Sequence, residues 1–161
     1  MRIGLISDTH GFLDESLFTY FAECDEIWHA GDVGSVELLD RLRAFKPIKG
    51  VSGNIDGADI RTELRSTLEW ECEGVRVLMT HIGSPAPRKD LERYRPDLFI
   101  CGHSHILKIA RDPKYGFLYM NPGACGHKGW HTIRTAIRFT ALDGKLSAVE
   151  AIELGPRGHK N

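Results

Sequence analysis

Three strand-like runs, residues 2–7, 25–30 and 48–52, are separated by two stretches with helical periodicity. The first run is apolar without alternation, which suits a strand covered on both faces. In the first intervening stretch, Leu17, Phe18 and Phe21 follow helical spacing, with Asp14 placed as N-cap and Leu13 and Phe18 as a hydrophobic staple. In the second, Leu38, Leu39, Leu42 and Phe45 form one apolar stripe that Ser35 can cap and Pro47 ends. A β-α-β-α-β order of this kind commits the first third of the chain to a parallel sheet with right-handed crossovers.

The pattern then changes. Leu68, Trp70 and Cys72 alternate with polar residues, as do Val75, Val77 and Met79 after Glu73-Gly74, so this stretch reads as a hairpin. Lys89 to Tyr94 reads as a short helix and Leu98 to Cys101 as a buried strand. Leu107–Asp112 with Phe117–Asn121, and Ala136–Leu142 with Leu146–Leu154, read as two further hairpins, the last turning at Asp143-Gly144. Tyr20, Phe21, Phe45 and Trp70 read as core. These elements suit one mixed α/β domain over residues 1–154, with the polar Gly/Pro tail, 155–161, frayed.

Composition excludes several classes. Formal net charge is −1 with no block of like charges, so strong nucleic-acid binding is not expected. No apolar run approaches the ~20 residues of a membrane span, and the N-terminus has no signal-peptide pattern, so the expected location is cytoplasmic. Cys24, Cys72, Cys101 and Cys125 form no C-x-x-C pair and are expected to be free, buried thiols.

Five short polar motifs follow the strand-like runs in order: Asp8-Thr9-His10, Gly31-Asp32, Gly53-Asn54, His81, and Gly102-His103-Ser104-His105. If the strands lie in packed sheets, their carboxyl ends bring these motifs to one edge, where open α/β sheets place ligands. Asp-x-His and His-x-His leave a one-residue gap, and in extended chain such pairs point the same way. The glycines before Asp32, Asn54 and His103 permit close backbone approach. Each motif alone is commonplace, since Gly-Asp and Gly-Asn are ordinary turn dipeptides. All five in order, each at a strand end, point to a site for divalent cations.

The series D-x-H, G-D, G-N, H, G-H-x-H resembles the calcineurin-like metallophosphoesterase superfamily. The opening "MRIGLISDTHG" and the "NPG" of Asn121–Gly123 resemble its small single-domain phosphodiesterase group. The resemblance implies a four-layer α/β/β/α sandwich of two mixed sheets flanked by helices. It implies one metal held by Asp8, His10 and His105, another by Asn54, His81 and His103, and Asp32 bridging both. A water between the metals would attack phosphorus in line, so Asp32, Asn54 and His81 count as the catalytic set. Manganese is expected from the resemblance. The oxygen and nitrogen donors without thiolate also admit iron, cobalt, nickel or zinc. Where many members read Gly-Asn-His, this chain has Ile55, which cannot protonate a leaving group. The implied preference is for activated aryl phosphodiesters over alkyl phosphomonoesters.

Lesser candidates are His29 and Asp56 as hydrogen-bond partners behind the ligands, and His127 and Lys128 as phosphate contacts in the Gly-rich stretch 126–131, where Trp130 could stack on a ring. A surface-loop reading of that stretch stands beside this one, and His131 has no separate role. The expected partner is a small phosphoester substrate, with a homodimer possible. Two alternatives remain: a scaffold like the retromer subunit of this fold, with residual metal binding, and a mononuclear hydrolase of another ester.

Overall fold

In the computed structural model, which describes residues 1–158, β1 (Arg2–Ile6), β2 (Glu26–His29) and β3 (Ile48–Gly50) pair side by side in parallel. The crossovers are α1 (Ser16–Tyr20) and α2 (Val36–Phe45). The Ser35 hydroxyl accepts from the Leu38 N–H at 3.2 Å and starts α2. Asp14 lies two residues before α1, where its carboxylate accepts from the Ser16 N–H at 2.9 Å and the Ser16 hydroxyl at 2.6 Å. Of the α1 residues only Leu17 is buried, and Tyr20 is 40% exposed rather than part of the core, because five residues present one narrow face. A third helix, α3 (Ala58–Glu63), has no counterpart in the periodicity; it buries only Ile60.

The remainder runs β4 (Thr67–Cys72), β5 (Val75–Thr80), α4 (Arg88–Tyr94), β6 (Leu98–Ile100), β7 (Leu107–Arg111), β8 (Leu118–Pro122), β9 (Ile133–Leu142) and β10 (Lys145–Pro156). Two mixed five-stranded sheets result, in the orders β10-β9-β1-β2-β3 and β4-β5-β6-β8-β7. Asp143 and Gly144 both have positive φ, 48° and 73°, as a two-residue hairpin turn of the primed kind requires. β10 reaches Pro156, and the Arg157 N–H donates to Thr132 O at 2.9 Å, so residues 155–157 are tied to the sheet rather than frayed. The rest of the expected tail, 159–161 with His159, lies outside the described residues.

Strand alternation sorts side chains into layers. Ile3, Leu5, Trp28, Val77, Met79, Ile100 and Phe139 fill the space between the sheets. The Trp28 ring meets Trp70 and Phe139 edge-on, at 4.8 and 5.5 Å between centroids. On the outer face of the first sheet, Leu17, Leu38, Leu39, Leu42 and Ile60 pack with Ile6 and Ile27. On the outer face of the second, Leu91 of α4 packs with Leu78 and Phe99. Each fully buried side chain of this size stabilises the fold by ~1.5–3 kcal/mol. The result is the four-layer α/β/β/α sandwich. All four cysteines are free and buried. Among the described residues no helix is long and apolar enough to cross a membrane.

Candidate metal centre

The loops leaving β1, β2, β3, β5 and β6 interlock at one rim. Asp8 N–H donates to Gly31 O and His10 N–H to Asp32 O, both at 3.0 Å. Gly102 N–H donates to His81 O at 3.0 Å, His103 N–H to Asp8 Oδ2 at 3.0 Å, and Ile55 N–H to Asp32 Oδ1 at 3.1 Å. Tight approach demands glycine at positions 53 and 102, among others. A Cβ at Gly53 would sit 2.0 Å from Asp32 Oδ1, and one at Gly102 would sit 2.0 Å from Ser7 Oγ.

The expectation that Asp-x-His and His-x-His converge because the chain is extended is wrong. Asp8, His10, His103 and His105 have φ of 54°, 49°, 66° and 58°, and Asp32 has 56°. β1 ends at Ile6 and β6 at Ile100, so both pairs lie in left-handed turns beyond the strands. Non-glycine residues there are strained by ~1–3 kcal/mol each and persist where surrounding structure holds them. Here the interlocked loops do so.

Two groups of ligand-capable atoms result. Those of Asp8, His10 and His105 lie within 4.8 Å of one another, and so do those of Asp32, His81 and His103. The groups adjoin: His10 Nε2 is 3.7 Å from Asp32 Oδ2, and His81 Nε2 is 3.3 Å from Asp32 Oδ1 and 3.8 Å from Asp8 Oδ1. Asp32 thus turns one oxygen toward each group. Asp8 Oδ2 is saturated by the Ser7 hydroxyl at 2.7 Å and by the His103 N–H. Asp8 Oδ1, 3.0 Å from His105 Nε2 but outside hydrogen-bond alignment, makes no hydrogen bond among the described residues. His10 Nε2 and His81 Nε2 are likewise buried without hydrogen bonds. His81 Nδ1–H donates to Ala30 O at 2.7 Å, which turns Nε2 toward the carboxylates.

Electrostatics follow from burial against charge. Burial opposes ionisation of Asp32, but the His81 ring, the Ile55 N–H and His10 outweigh it and hold its carboxyl below the usual range. Burial also works against the charged form of His81, yet Asp32, Asp8 and the Ala30 carbonyl raise its pKa above the ordinary histidine value. At His10 burial wins and the pKa falls. Buried oxygen and imidazole donors that lack protein partners fit first-row divalent cations.

The remaining candidates divide. Asn54 is exposed, in the turn between Gly53 and Ile55, both of which abut Asp32. His29 is fully buried, and among the described residues it makes no hydrogen bond to a ligand carboxylate. Its Nε2 pairs with Thr9 Oγ1 at 2.9 Å and its Nδ1 accepts from Gly31 N–H at 3.2 Å, so it ties two of the loops together. Burial lowers its pKa to about 4. The Asp56 carboxylate accepts from the N–H groups of Val33, Gly34 and Gly53 at 3.2, 2.9 and 2.7 Å, and so clamps the β2 and β3 loops. The His127 ring packs on Phe12, 3.9 Å between centroids, and its Nδ1 meets Arg157 O. Lys128 is exposed and near enough to lower the pKa of His10.

Two contributors had no assigned role in the motif reading. His131 Nε2 pairs with Gly126 O at 2.9 Å, and its Nδ1 meets His105 Nδ1 at 3.3 Å. With Nε2–H donating to the carbonyl, His131 Nδ1 accepts from His105 Nδ1–H, and His105 Nε2 is left bare toward Asp8. Asn121, 1% exposed, donates to Gly102 O at 2.8 Å and Ser104 Oγ at 3.0 Å, which locks the Gly-His-Ser-His turn. The Asn-Pro-Gly triplet was the only signal for it.

Fold and rim together define an α/β/β/α protein with carboxylates and imidazoles gathered at its strand ends. The profile of the calcineurin-like phosphoesterase superfamily domain matches residues 1–144. The chain is 36% identical over 138 residues to a "Probable metallophosphoesterase" of Methanothermobacter thermautotrophicus, covering 77% of each protein. This chain therefore belongs to the calcineurin-like phosphoesterase superfamily, a family of metal-dependent hydrolases. The fold is shared with solved structures, of which two are informative. The zinc complex of Vps29 from Entamoeba histolytica superposes with a TM-score of 0.72 at 18% identity, covering 98% of this chain and all of that one. The phosphoesterase Yfce of E. coli superposes with 0.65 at 21% identity, covering 94% of this chain and all of its own.

Proposed function

We propose that the protein is a phosphodiesterase that works with two divalent cations, manganese first among them. The observation that carries this reading is the set of three buried ligand-capable atoms that make no hydrogen bond among the described residues, Asp8 Oδ1, His10 Nε2 and His81 Nε2, gathered around Asp32. Asp8, His10 and His105 would hold one cation, and Asn54, His81 and His103 the other, with Asp32 between them. When bound, such a pair supplies a Lewis-acid clamp on the phosphate and water made nucleophilic near neutral pH. The chain's own part is orientation. Ser7 and His103 N–H fix one Asp8 oxygen, Ala30 fixes the His81 ring, and His131 fixes that of His105.

Leaving buried polar atoms without hydrogen bonds costs ~1–3 kcal/mol each, which a bound cation would offset in an enzyme or in a metal-binding scaffold, so turnover is what separates the two readings. Ile55, 47% exposed beside Asp32, offers no proton to a leaving group, so good leaving groups should be favoured. General acid help is worth ~10²–10⁴-fold, which sets the handicap on poor ones. The test is turnover of an aryl phosphodiester and an alkyl phosphomonoester by the manganese-loaded protein. The diester should be the better substrate by kcat/KM. Asp32→Asn should lose more than the ~10²-fold that removal of a supporting partner brings. Equal turnover of the two esters, or an Asn variant as active as wild type, would refute the reading.

A further inference from the structure

The rim opposite the candidate metal centre holds a cavity of about 820 Å³. It opens between the start of β5, the end of α4, the β7–β8 turn and the β9–β10 turn. Small-molecule sites span ~300–1,000 Å³, so the space suits a ligand of metabolite size. Its charge is lopsided. Arg76 and Asp97 neutralise each other through paired contacts of 3.1 and 3.0 Å. Arg95, Arg111, Lys114 and Lys145 remain, against one carboxylate, Glu92. The whole chain carries a formal charge of −1, so composition does not explain the cluster.

Arg95 ends α4 with φ of 51°, where a cation suits the helix dipole. The dipole does not account for the other three, which come from strands and turns. Arg111 spends one N–H on Gly116 O at 2.7 Å and keeps the rest of its fork. Leu91, Leu118 and Leu146 give the cavity an apolar wall. Four cations and an apolar wall match a molecule with an anionic head and an organic body.

We propose that this cavity binds a small organic phosphate, about the size of a nucleoside monophosphate. The phosphate sits among Arg95, Arg111, Lys114 and Lys145, and the organic body rests on the leucines. β5 enters the cavity at Val75 and ends at Thr80, next to His81 on the far rim. At ~3.3 Å per residue the strand separates the two sites by ~20 Å, so one bound molecule does not span both.

The test is a titration of the metal-free, isotope-labelled full chain with AMP, followed residue by residue in amide NMR spectra. Shifts should concentrate at Arg95, Lys114–Leu118 and Lys145. Arg95→Glu with Lys145→Glu should weaken binding at least ~10-fold, as loss of charge-assisted contacts would. Arg95→Lys with Lys145→Arg, and separately Asp32→Asn, should leave it intact. Adenosine and inorganic phosphate should each bind at least ~10-fold more weakly than AMP, having only one half of the recognition. The proposal is overturned if millimolar AMP leaves these amides unmoved, if charge reversal has no effect, or if adenosine or inorganic phosphate matches AMP.

Discussion

The site depends on ring orientation as much as on donor type. His105 offers a bare Nε2 only while its Nδ1 carries the proton, and the His131–Gly126 contact holds that arrangement. Supporting partners of this kind are worth ~10–100-fold in metal affinity. His131→Ala should therefore weaken manganese binding by that factor, measured by metal titration. A change within about twofold would make the contact incidental. His29 carries a different prediction. Its folded pKa, about 4, lies below the unfolded value of ~6.5, so the unfolded chain binds the extra proton in that interval. Stability from this group is full above ~6.5 and is lost as the pH falls toward 4. The loss between pH 7 and 4.5 should be on the order of 2 kcal/mol, read from urea midpoints of metal-free protein. His29→Gln should lack that component; an unchanged slope would remove the explanation. His131 was hidden in the sequence because a histidine inside a Gly-rich stretch looks like surface. The left-handed turns at Asp8, His10, His103 and His105 were hidden because residue spacing carries no sign of φ.

Among the elements, those with a long apolar face were legible and those without were not. α2 was readable from Leu38, Leu39 and Leu42, with Ser35 and Pro47 at its ends. α3 was not, because one buried residue, Ile60, makes no period. Yet α3 matters to the rim: Arg61 donates to Gly53 O and Asp56 O, both at 2.7 Å, and steadies the loop after β3. Asp56 joins that loop to the one after β2 through three backbone N–H groups. Asp56→Ala leaves buried donors unpaired, at ~1–3 kcal/mol each. The variant should lose roughly 3 kcal/mol by chemical denaturation. Its turnover should fall even under conditions where it is fully folded. Unchanged turnover in folded variant protein would show that the two loops keep their places without this clamp.

Across the whole molecule, function follows from two sheets delivering their strand ends to a common rim. β1, β2 and β3 belong to one sheet, β5 and β6 to the other, so neither sheet alone holds the full set of candidate residues. The layered order was readable because strands covered on both faces and amphipathic helices leave few arrangements. The cationic cavity was not, because Arg95, Arg111, Lys114 and Lys145 are scattered in the sequence and meet only after folding. The most direct test of the central claim is anomalous diffraction from crystals grown with saturating manganese. Two peaks ~3.5–4 Å apart, enclosed by Asp8, His10, Asp32, Asn54, His81, His103 and His105, are the predicted result. A single peak there, or manganese bound only elsewhere, would contradict it.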